Sequence, residues 1–128
     1  MTPQFIDHPG LRPASDLVLV GPLAFAHGLI GQDLLNPSRA LAESVEAQTR
    51  QIMSNLDALL SAQQLARADV VAVTVWLRDF HRFVARFENA WTECFEPGQR
   101  PTRQLVGATG LRRDALVSMD FVIARREA

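Results

Sequence analysis

Val70-Val71-Ala72-Val73-Thr74-Val75-Trp76-Leu77 lies near the middle of the chain, and its reading decides the architecture. It is dense in β-branched residues, which suit a pleated, packed surface, so it is expected to form a buried strand. Asp79 follows as a candidate cap for a helix over about 80–95. Phe80, Phe83, Val84, Phe87, Ala90 and Trp91 would form that helix's apolar face, and Pro97-Gly98 would stop it. Beyond it, 104–108 and 116–124 read as the last two strands, separated by a turn around Gly110 to Asp114.

Working back from the same stretch, Val45, Ile52, Leu56, Leu59 and Leu60 recur at helical spacing. They predict a first helix over roughly 39–64, after a loop at Asn36-Pro37-Ser38. The runs Leu17 to Val20 and Leu23 to Ile30 suggest neighbouring antiparallel strands that turn at Gly21-Pro22. His8 to Ser15, with Pro9, Gly10 and Pro13, reads as a loop. The order β-β-α-β-α-β-β implies an α+β fold, with one mixed sheet and both helices on one face. The second face then has no cover within the chain, and its apolar residues call for another subunit.

With 128 residues the chain is expected to be a single domain, 1–128. Its 48% hydrophobic and 21% charged residues are an ordinary globular balance, so disorder is not expected. A net charge of −1 argues against a dedicated nucleic-acid binder. The short basic pairs Arg112-Arg113 and Arg125-Arg126 read as solvated surface. Cys94 is the only cysteine, which rules out an internal disulfide and a cysteine-based zinc site and fits a cytoplasmic protein. Near a helix end it reads as a small apolar filler. The first ten residues lack signal-peptide features, and no apolar run approaches the ~20 residues of a membrane span. His8, His27 and His81 have no metal-ligand spacing. Trp76 and Trp91 are expected in the core or at an interface.

Three stretches resemble the RidA/YjgF family. Gln48-Thr49-Arg50-Gln51 with Asn55-Leu56 is similar to that family's first-helix pattern. Val70 to Phe80 is similar to its central strand and the helix start that follows. Arg100-Pro101-Thr102-Arg103-Gln104-Leu105-Val106-Gly107 is similar to its arginine-bearing strand, and Gly28 matches a glycine in its early strand. The resemblance implies a chorismate-mutase-like fold, with a mixed sheet of six strands or similar and two helices on one face, and a homotrimer with clefts between subunits. It also implies hydrolysis of enamines or imines such as 2-aminoacrylate, with no cofactor and no metal. The older names endoribonuclease and translation inhibitor belong to the same family.

The same resemblance marks the candidate site. Arg103 would grip a substrate carboxylate, a task suited to a permanently charged, bidentate fork. Otherwise it is a surface arginine paired with an acidic neighbour. Asp120 falls where deaminating members carry a water-orienting glutamate; structurally it would be an ion-pair partner on the sheet. Gly28 would line the pocket. Elsewhere the chain departs from the pattern. Glu88 stands where an asparagine is expected, His27 where a serine is, Ala14 near an expected tyrosine, and Leu105 in place of a small polar residue or cysteine. A glutamate near Arg103 would compete for its fork. His27 could act there as a general acid or base near neutral pH, in a trio of His27, Glu88 and Asp120 around Arg103 suited to proton transfer, or be an ordinary strand histidine. Three readings follow from these residues. One is a hydrolase of the enamine/imine deaminase type with an altered substrate. Another is a non-catalytic ligand-binding or regulatory trimer. The last is a tautomerase or hydrolase with a larger substrate.

Overall fold

The computed structural model describes residues 1–7 and 13–125. The loop expected over His8 to Ser15 therefore lies mostly outside the described residues, as does Arg126.

The central strand forms as expected, as β4 (Val70–Arg78). Val73, Val75 and Leu77 are buried while Ala72, Thr74 and Trp76 alternate with them, so the two sets take opposite faces. Its neighbour in the sheet is β6 (Val117–Ala124), antiparallel, with Met119, Phe121 and Ile123 fully buried on the same side as Val75. On β4's other edge lies β5 (Thr102–Ala108), parallel to it. β2 (Leu17–Val20) and β3 (Leu23–Ile30) form the expected hairpin, with Val20 opposite Leu23 across Gly21-Pro22. The sixth strand, β1 (Gln4–Ile6), is only three residues long and pairs antiparallel with β2. The sheet order is β1-β2-β3-β6-β4-β5, so the sheet is mixed, with one parallel pair at its edge.

Two helices cover one face. α1 (Val45–Ser61) starts later than the 39–64 reading because Ser44 caps it, its hydroxyl accepting from Ala47 N–H at 3.0 Å. Residues 39–43 lie ahead of that cap. Ile52, Met53, Leu56, Leu59 and Leu60 then pack into the sheet. α2 (Phe80–Trp91) buries Phe83, Phe87 and Ala90. Asp79 holds the N-cap position, but its side chain makes no capping bond. It sits in the left-handed region at φ 48°, and its backbone carbonyl receives Arg82 and Phe83 N–H instead.

The polar residues of α1 that carried the resemblance are tethers. Asn55 is buried and donates to the carbonyls of Ile30 and Gln32, while its own oxygen accepts from Leu34 N–H and from Gln51. Gln48 donates to Ala42 O at 2.8 Å and accepts from Leu116 N–H at 2.9 Å. These bonds satisfy loop backbone that has no ladder partner and pin the chain after β3 against the helix. Close approach needs Gly31 there, since a Cβ would lie 2.7 Å from the Gln48 backbone.

The face opposite the helices carries Val18, Val20, Phe25, Trp76, Val106 and Val122, all partly exposed, with Leu23 37% exposed. Among the described residues, no helix is long and apolar enough to cross a membrane.

Candidate functional site

The site begins with an irregularity in β3. Ala26 faces Phe121 and Leu29 faces Met119, so His27 and Gly28 together stand opposite the single residue Asp120. This is a β-bulge, and its extra residue loses its place in the ladder. Gly28 takes φ 70°, a conformation costly for any residue with a Cβ. Its N–H is satisfied by a side chain: it donates to Asp120 Oδ1 at 2.7 Å. The other carboxylate oxygen accepts from Trp76 Nε1 at 2.9 Å. Asp120 alternates with the buried Met119 and Phe121, and Trp76 with Val75 and Leu77, so both project from the face away from the helices. His27 is exposed beside them, its ring edge-on to Phe25 at 6.1 Å. Arg112 Nη2 reaches the Gly28 carbonyl at 3.4 Å. Both Asp120 oxygens thus hold one donor each and keep a second lone pair for a water or ligand.

Arg103 lies in β5, on the helix side. Its guanidinium stacks over Trp91 at 5.0 Å and Phe87 at 5.9 Å, both from α2. Glu88, one turn before Trp91, takes both terminal nitrogens: Nη1 to Oε1 at 2.5 Å and Nη2 to Oε2 at 2.9 Å. The guanidinium hydrogen bonds hold the Glu88 carboxyl below its ordinary range, outweighing partial burial, and Glu88 in turn raises Arg103. Leu105 points to the same side and packs against the core. Ala14 is exposed.

The structure thus brings the candidate residues together in two groups. Asp120, Gly28 and His27 form one, on the open face. Arg103 and Glu88 form the other, on the helix side of the sheet's edge strand. His27 and Asp120 do not gather around Arg103 within one chain. Strand alternation is the reason: Arg103 shares the parity of inward-facing Leu105, whereas Asp120 has the opposite parity to inward-facing Phe121. Sequence reasoning passed over Trp76 as a polar partner, along with the tethers Gln48 and Asn55. Trp76 could have been flagged, since an indole alternating with core residues on an open sheet face needs an acceptor for its N–H.

Among the described residues, no group of three His, Cys, Asp or Glu side chains is placed to hold a metal ion. Cys94 is buried, and burial pushes its thiol up to about 11, which marks it as packing and not as a nucleophile.

The chain is thus a small α+β protein with a mixed six-stranded sheet, two helices on one face, and a carboxylate holding a glycine bulge on the other. The family model described as endoribonuclease L-PSP matches residues 8–125. A 2-iminobutanoate/2-iminopropanoate deaminase of Salmonella typhimurium is 32% identical over 100 residues, covering 75% of this chain and 77% of its own. A RutC family protein of Pyrococcus horikoshii is 29% identical over 112 residues, covering 88% and 86%. Among solved structures, yeast Mmf1 superposes with a TM-score of 0.86 at 19% identity, covering 98% of this chain and all of its own. E. coli TdcF, solved with bound serine, gives 0.84 at 22%, covering 96% and 99%. The chain belongs to the RidA/YjgF family, whose model carries the L-PSP description.

Proposed function

We propose that this protein is a small-molecule hydrolase of the enamine/imine deaminase type, divergent in substrate, whose sites form where copies of the chain meet in a homotrimer. The observation that carries this reading is the placement of the two groups on opposite faces of one sheet. A ligand can touch Arg103 and Asp120 together only if they come from different copies. The partly exposed apolar face beside Asp120 is the surface that association would bury. The deaminase relative from Salmonella and the serine bound to TdcF support a small polar substrate.

In this reading Asp120 uses its free lone pairs to orient a water towards an imine carbon. Water adds to the C=N bond, the C–N bond then breaks, and the nitrogen leaves as ammonia with a carbonyl left behind. His27, exposed beside Gly28, returns the proton to the departing amine. Arg103 and Glu88 grip the far end of the substrate, and no cofactor or metal takes part. A carboxylate-bearing substrate meets a fork that Glu88 already fills, which makes ordinary 2-imino acids poor substrates. The same filled fork favours a second reading, a ligand-binding trimer without catalysis.

Ammonia release from 2-iminopropanoate, generated in situ beside the Salmonella enzyme, tests this. We expect acceleration over the uncatalysed rate, slower than that enzyme by on the order of a hundredfold, the scale of a ~1 Å misplacement, and abolished by Asp120→Ala. No acceleration with imines of any size would favour the binding reading. A rate equal to the Salmonella enzyme's would remove the claim of divergence.

A further inference from the structure

The Arg103–Glu88 pair is a bidentate, partly exposed ion pair, and it carries information about ligand class. A guanidinium has five N–H donors, and Glu88 uses one on each terminal nitrogen. The Nε–H and the second hydrogen of each terminal nitrogen stay outside that contact. One flat side of the guanidinium lies over the rings of Trp91 and Phe87. A ligand therefore reaches Arg103 along its edge, beside the carboxylate. Glu88 is 43% exposed in its side chain and Arg103 23%, so solvent reaches both partners of the pair. Each Glu88 oxygen keeps a lone pair that can accept from the ligand. What the ligand meets is a row of donors next to a row of acceptors, with no net charge.

An anion gains little there, because attraction to the guanidinium is opposed by a carboxylate at nearly the same distance. A neutral group that carries an acceptor and a donor side by side matches both rows. A carboxamide or a ureido group has that pattern. Displacing Glu88 to admit a carboxylate would exchange one carboxylate for another and gain nothing in hydrogen bonds.

We propose that Glu88 determines specificity at this site, selecting a substrate whose anchoring group is a neutral carboxamide or ureido group over one anchored by a carboxylate. This rests on the reading above that Arg103 faces the ligand.

Calorimetric titration with 2-oxobutanoate and 2-oxobutanamide tests it on the intact protein, using wild type, Glu88→Gln and Arg103→Ala. Glu88→Gln keeps the length and one acceptor but removes the charge. Wild type should bind the amide at least as well as the acid. Glu88→Gln should shift the acid-to-amide ratio towards the acid by about tenfold, the lower end for a hydrogen bond to a charged group. If wild type already favours the acid and Glu88→Gln leaves the ratio unchanged, while Arg103→Ala weakens both ligands, this proposal fails and the ligand-site reading stands. If either ligand binds wild type and Arg103→Ala alike, Arg103 does not face the ligand and both fall. Failure of the folded wild type to bind either probe also overturns both.

Discussion

Asp120 is the residue whose removal should be felt most widely, because it holds the β3 bulge from the opposite strand. Asp120→Ala leaves the Gly28 N–H and the Trp76 indole N–H without their acceptor. A hydrogen bond to a charged group contributes ~1.5–3 kcal/mol, and the lower end applies at this partly exposed position. Two such bonds give a loss of about 3 kcal/mol for Asp120→Ala. Asp120→Asn keeps one acceptor but turns an NH2 towards a donor, so it should cost roughly half as much. Trp76→Phe removes only the indole bond, at about 1.5 kcal/mol. In the double variant that shared bond is lost once, so the combined cost should fall short of the sum by about 1–1.5 kcal/mol. Urea denaturation at one fixed protomer concentration reads these values, since association would add to apparent stability. With a slope near ~1.5 kcal/mol/M, Asp120→Ala should move the midpoint down by about 2 M. A loss under about 0.5 kcal/mol, or strict additivity with Trp76→Phe, would show that the carboxylate does not hold the bulge.

Gly28→Ala should cost about 1–2 kcal/mol in the same measurement, because φ 70° forces the new Cβ into the left-handed region; no loss would mean that the bulge relaxes freely. Glu88 should impose an acid limit on the Arg103 clamp. Its carboxyl is depressed by the Arg103 hydrogen bonds, so its contribution is present above the ordinary glutamate range and is lost as pH falls through the depressed value. Because Glu88 is substantially exposed, the effect is modest. Thermal melts of Glu88→Gln should show a shallower loss of stability below about pH 4.5 than wild type, and parallel curves would count against the pair.

Much of the fold could be read along the chain because its signals are local. The apolar runs of β2, β3, β4 and β6 and the helical spacing of Val45 to Leu60 need only neighbouring residues to be seen. β1 was missed because Gln4-Phe5-Ile6 is too short to show a period. The start of α1 was set by one hydroxyl, Ser44, and not by the apolar stripe. The candidate site was harder. Asp120 meets Gly28 and Trp76 across three strands, and no spacing in sequence announces that contact. The separation of Arg103 from Asp120 was legible in principle. Leu105 and Phe121 mark the inward parity of their strands, and counting from each puts the two charged residues on opposite faces. The pairing of Arg103 with Glu88 joins an edge strand to the preceding helix and depends on how α2 lies over β5, which only the packing settles.

The central claim is that the site is divided between copies of the chain. Light scattering on the purified protein at micromolar concentration tests it most directly. The account predicts a species of three times the 14.2 kDa chain mass. A stable 14.2 kDa monomer would contradict the account, because one chain alone keeps Arg103 and Asp120 on opposite faces of its sheet.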